Sequence, residues 1–140
     1  MDNERIKKLA TEWEHEADVV LCDGIIKIKK TESLLKESYE LCTEYHQKDA
    51  VPKEMCRLFK SMYIFLDGIA TVYCIDECTT PSDSAAYSAV GYIMDELEYG
   101  FYNGKYELAY PYIQVSDSNG KEHALNVEGD FLECLIDANR

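Results

Sequence analysis

The sequence predicts an α+β fold, mainly α: a bundle of about four helices, then a β-hairpin and a short C-terminal helix. Three observations predict it. Apolar residues recur at three- and four-residue steps through roughly the first hundred positions. The period changes to two after Asn103-Gly104. Hydrophobic residues make up 46% of 140 residues, enough for one folded domain spanning 1–140.

The first helix is expected over about 3–29. Ile6, Leu9, Ala10, Trp13, Ala17, Val20 and Leu21 form its apolar stripe. Asp23-Gly24 between apolar runs also reads as a hairpin turn. Gly24, Ile25 and Ile28 continue the helical stripe, which favours helix. A second helix is expected over about 32–48, capped by Thr31 or Ser33, with Leu34, Leu35, Ser38, Leu41, Cys42 and Tyr45 inward. Pro52 suits the first turn of a third helix, about 52–78, which is apolar almost all round and therefore central. Within it Asp67 is the sole charge between Lys60 and Asp76, and is expected to reach water from the edge of the buried arc.

A fourth helix, about 83–102, follows Ser82 or Ser84 as cap and closes at Asn103-Gly104. Its core face holds Ala86, Val90, Ile93, Met94, Leu97 and Phe101; Tyr92, Asp95, Tyr99 and Tyr102 fall on the opposite side, with Glu98 beside them. Next come two strands, about 105–115 and 122–128. Tyr106, Leu108, Tyr110 and Tyr112 alternate along the first, and Pro111 marks it as an edge. Asp130 with Glu133 opens the last helix, about 130–138.

The net charge is −13 and is unevenly spread. Residues 1–50 carry twelve acids and eight bases, whereas 61–104 carry seven acids and no Lys or Arg. Direct binding of nucleic acid or an anionic membrane is therefore disfavoured, and a basic partner favoured. No stretch is long and apolar enough to cross a bilayer. The opening MDNERIKK leads into no apolar signal region, so a cytoplasmic location is expected, with the six cysteines acting as small hydrophobes.

No motif points to catalysis, and neither a cofactor nor a metal is expected. Cys74-x3-Cys78 lacks the second close pair that a structural zinc site needs. Glu12-x-x-His15 matches one step of a di-iron bundle, but such sites use it twice. Glu37-x-x-Glu40 faintly resembles the start of the magnesium-binding pattern of all-helical nucleotide pyrophosphohydrolases. The following step is missing; Asp95-x-x-Glu98 is distant and reversed. Asp117-Ser118-Asn119-Gly120 is turn chemistry, because a calcium loop would place Asn126 where a bidentate Glu belongs.

What remains is the tyrosine-rich, acidic segment 92–115. The hairpin either folds back over the fourth helix and buries its tyrosines, or leaves a face open to a partner. Tyrosine offers large contact area at low entropy cost, and surrounding acids select a basic target. The expected partner-binding residues are Asp95, Glu98, Tyr99, Tyr102, Tyr106, Glu107, Tyr110 and Tyr112. The functional expectation is a non-catalytic acidic module that binds a basic-surfaced protein such as a nuclease or other nucleic-acid-handling enzyme, and inhibits it where it covers the working surface. Small acidic inhibitors encoded by phages and mobile elements share this size and charge, a likeness of composition alone. A 140-residue domain is about 37 Å across, and duplex DNA of that length carries about 22 phosphates, so mimicry of DNA is expected to be local. One alternative is a nucleotide- or sugar-binding protein, or an enzyme, with a tyrosine-lined pocket between the fourth helix and the hairpin. The other is a self-associating helical scaffold, a homodimer through heptad-spaced Ile6, Trp13 and Val20.

Overall fold

The computed structural model describes residues 2–45, 48, 50–73, 81–103, 112–116 and 122–126. Four helices dominate them: α1 (Asp2–Asp23), α2 (Ile28–Tyr45), α3 (Glu54–Tyr73) and α4 (Pro81–Asn103). α1 packs most extensively against α3 and also touches α2, while α4 touches both α2 and α3. The helices thus close a ring around a common interior. Every core residue among those described comes from these helices.

The α+β expectation is corrected: the body is an all-α bundle. Two five-residue segments, β1 (Tyr112–Ser116) and β2 (Glu122–Asn126), run antiparallel with Tyr112 opposite Asn126 and Ser116 opposite Glu122. Among the described residues they pair only with each other. A two-stranded ribbon is too small to be a layer of a fold. Period-two alternation says how a segment would present its side chains; it does not supply the further strands a layer requires. The expected strand positions 105–111 and 127–128 and the expected helix 130–138 lie outside the described residues.

The helix ends show why local pattern misplaced some boundaries. α1 stops at Asp23, not near 29, because Gly24 takes φ +65° and its N–H donates to the Val20 carbonyl at 2.9 Å. A left-handed residue of this kind closes a helix, and glycine adopts it without a Cβ penalty. α2 starts four residues earlier than expected. Thr31, expected as a cap, is buried one turn inside, where both its N–H (2.9 Å) and its hydroxyl (2.8 Å) donate to the Lys27 carbonyl. α3 begins just past Pro52, whose carbonyl accepts from Met55 at 3.0 Å. Its expected continuation to 78 lies outside the described residues. α4 opens on Pro81, so Ser82 and Ser84 sit within the helix instead of capping it; proline is well placed there because the first helical N–H has no partner.

The apolar stripes read from the sequence are the core. Ile6, Leu9, Ala10, Trp13, Ala17 and Val20 of α1 are buried, as are Leu34, Leu35, Leu41, Cys42 and Tyr45 of α2. Leu21, in the last turn of α1, is half exposed instead. α3 contributes Met55, Leu58, Phe59, Met62, Phe65, Leu66 and Ile69, and α4 contributes Ala89, Val90, Ile93, Met94 and Leu97. Asp67 is exposed, as expected. In the contact of α1 with α3, a Cβ on Gly68 would lie 3.8 Å from the Ala17 carbonyl oxygen.

Two polar ties fix the packing. The Trp13 indole N–H donates to Ser38 Oγ at 3.1 Å, and Ser38 Oγ in turn donates to the Leu34 carbonyl at 2.7 Å. The same indole lies 5.3 Å, centroid to centroid, from Phe65. Between α1 and α3, Arg57 grips Glu14 in a two-pronged contact, Nη2 to Oε2 at 3.0 Å and Nε to Oε1 at 3.3 Å. Ser61 Oγ lies 3.1 Å from Glu14 Oε1, and a second Arg57 contact reaches Thr11 Oγ1 at 3.1 Å. The Arg57 hydrogen bond, with help from Ser61, holds the Glu14 carboxyl below its usual range.

Removing the Ser38 hydroxyl strands a buried indole N–H. Ser38→Ala is expected to cost about 1–3 kcal/mol, measured by urea unfolding followed through the emission of Trp13, the one tryptophan. An unchanged midpoint would mean the bond contributes nothing. Because the Glu14 carboxyl is depressed, its contribution is fully present above the ordinary glutamate range and lost as pH falls through the depressed value. Wild type and Glu14→Gln should therefore differ in Tm at neutral pH and converge on acidification. The gap should be small, because both side chains are 40% exposed and water screens the pair.

Candidate functional site

α4 is two-faced. Ile93, Met94 and Leu97 enter the core, so the helical period turns Tyr92, Asp95, Tyr99 and Tyr102 outward. Tyr92 is 40% exposed, Tyr99 55% and Tyr102 63%. These rings are not covered. Of the two arrangements open to the hairpin, burial of these tyrosines does not hold for the described ones, although β1 does lie alongside α4.

The acids on this face are held in place. Tyr63 of α3 sets its hydroxyl 2.9 Å from Asp95 Oδ1 and 3.1 Å from Glu98 Oε1. A phenol carries one hydrogen, so the two carboxylates share it in a three-centre bond. Burial, then the two neighbouring negative charges, push the Tyr63 hydroxyl well above the ordinary phenol range. It stays protonated at any working pH and continues to donate. The result is a carboxylate pair spaced one helical turn apart, oriented by a neutral donor that leaves its charge uncancelled.

At the end of α4 the rings cluster. Phe101 and Tyr102 sit 5.3 Å apart, and Phe59 of α3 lies 5.3 Å from Phe101 and 5.8 Å from Tyr102. Tyr102, although the most exposed of the three tyrosines, is thereby braced on one side.

Of the expected binding residues, the structure brings Asp95, Glu98, Tyr99 and Tyr102 together on one helix. Tyr106, Glu107 and Tyr110 lie outside the described residues; Tyr112 is the first residue of β1. Tyr63 was missed, because no sequence pattern links a residue of one helix to acids on another thirty-two positions away. A cavity of about 410 Å³ does occur, but at the α2–α3 connection and the end of α4, lined by residues including Tyr45, Phe59 and Tyr102. The expected location between α4 and the hairpin involves positions 104–111, which lie outside the described residues. Ile6, Trp13 and Val20 are buried in the chain's own core, so that stripe is not available for self-association.

Among the described residues, no three His, Cys, Asp or Glu side chains converge as metal ligands would. Glu12 instead meets Lys30 at 3.4 Å, and His15 points to solvent. Cys22 and Cys56 are exposed free thiols and Cys42 a buried one. Again among the described residues, no helix is long and apolar enough to cross a membrane.

Known proteins add nothing to this geometry. Neither a family model, nor a curated protein, nor a solved structure matches the chain.

Tyr63→Phe keeps the ring and removes the shared hydrogen. It should lower stability by about 1 kcal/mol through loss of the α3–α4 tie, read as a shift in urea midpoint at constant slope. No shift would show that water replaces the phenol at no cost.

Proposed function

We propose that this chain is a non-catalytic, acidic interaction module that docks on a basic surface of a protein partner and blocks it. The observation that carries the reading is the outer face of α4. Three exposed tyrosines alternate with Asp95, and Glu98 stands at the edge with its carboxylate fixed by Tyr63. Exposed rings in such number supply buried area at low entropic cost once a partner covers them. The acids steer the encounter and reject acidic partners. The segment 61–104 carries no Lys or Arg to offset them.

Surfaces that fit are rich in arginine and lysine, and nucleic-acid-handling enzymes are their commonest owners. The chain's acids would occupy such a surface in place of phosphate over a limited patch, a local DNA mimicry. Partners of this kind imply a cytoplasmic site of action.

The test is affinity capture with mass spectrometry at about 0.05 M and about 0.5 M salt, where the screening length falls from about 14 Å to about 4 Å. Wild type, Tyr99→Ala and the pair Asp95→Asn with Glu98→Gln are compared. Basic nucleic-acid-binding proteins should be retained by wild type at low salt, released at high salt, and lost from both variants. Equal recovery by all three would remove α4 as the docking face. Recovery of nothing basic would remove the function.

A further inference from the structure

The cavity noted above has a composition at odds with the rest of the molecule. Tyr45, Phe59 and Tyr102 give it aromatic walls, Cys56 places a thiol in it, and Lys48 and Lys53 supply its formal charges. The Lys48 ammonium stands 4.5 Å above the Tyr45 ring, and its backbone N–H donates to the Tyr45 carbonyl at 3.0 Å, so the α2 terminus itself positions the cation. Among the described residues neither lysine is ion-paired with an acid. Arg5, Lys30 and Arg57 by contrast each hold a glutamate across to another helix.

In a chain of net charge −13, cations left beside an aromatic cavity select strongly for the sign of its occupant. Rings stack on flat π-systems, and lysine binds phosphate as a point charge. A volume of about 410 Å³ lies at the lower end of small-molecule sites, which run from about 300 to 1,000 Å³, and suits one ring with a sugar-phosphate, not a dinucleotide.

We propose that the cavity formed by Tyr45, Lys48, Lys53, Cys56, Phe59 and Tyr102 is a binding site for a small aromatic phosphate, of the size of a nucleoside monophosphate. The base lies among the aromatic rings, and the phosphate meets the two lysines at the mouth. The site shares Tyr102 with the docking face but is tested apart from it: Tyr99 does not line the cavity, and Lys48 and Lys53 are not on α4.

Cys56 serves as a built-in reporter, with exposed Cys22 in the last turn of α1 as the internal reference. Iodoacetamide labelling of the two thiols is followed by peptide mass spectrometry with AMP, GMP, CMP or UMP present, and separately with adenosine or inorganic phosphate. Protection is 1 + [L]/Kd, so a bound nucleotide at ten times its Kd should slow Cys56 labelling about tenfold and leave Cys22 unchanged. Lys48→Ala with Lys53→Ala should reduce the affinity of that nucleotide to the adenosine level, with Trp13 emission unchanged as the check on folding. The proposal is overturned if none of the four nucleotides protects Cys56. It is equally overturned if adenosine protects as well as AMP, which would make the lysines irrelevant. Protection by inorganic phosphate alone, to the same degree, would do the same for the rings.

Discussion

The bundle turns on a single buried donor. An indole N–H cannot be taken from water without a partner, and Trp13 finds one in Ser38 on a different helix. Ser38 is engaged both ways in the process, accepting from Trp13 and donating to the Leu34 carbonyl behind it. With Phe65 against the ring, one side chain sets the relative positions of α1, α2 and α3. Hydrophobic burial alone would tolerate sliding between helices; a satisfied polar contact at the centre does not.

α4 completes the ring by burying only its apolar side. A helix covered on one side leaves the other free of packing demands, and here that side carries rings and carboxylates in place of the usual mix of lysine and glutamate. Tyr63 then performs two tasks. It joins α3 to α4 and fixes two acids without neutralising them. A lysine in its place would have cancelled charge that the outer face retains.

Charge is divided by role along the chain. In the N-terminal half, acids and bases tie helices together: Arg5 to Glu40 and Glu44, Lys30 to Glu12, Arg57 to Glu14. Several of these pairs are substantially exposed, so their effect lies more in register than in free energy. Beyond Ser61 the balance is fourteen acids to three bases, and self-repulsion there is a cost borne by the core. The cavity lysines stand near the boundary between these regimes, on the segment joining α2 to α3.

Helical stripes were legible in the sequence because burial on a helix follows a local period. The inward residues of α1 and α2, the exposure of Asp67 and the outward set Tyr92, Asp95, Tyr99 and Tyr102 all follow from spacing alone. By contrast α3, apolar almost all round in sequence, leaves Cys56, Lys60, Ile64, Asp67 and Thr71 exposed. Local spacing could not settle Asp23-Gly24, since a hairpin, a continuing helix and a helix stop all accept that pair. A positive φ and a bond back to Val20 chose the stop. Nor could it settle fold class, because alternation in a short segment does not decide whether further strands join it. The Tyr63 clamp, the Trp13–Ser38 bond and the cavity between the α2–α3 connection and α4 were decided by tertiary structure. Each joins residues from separate helices, and only packing brings such residues within hydrogen-bond or ring-contact distance.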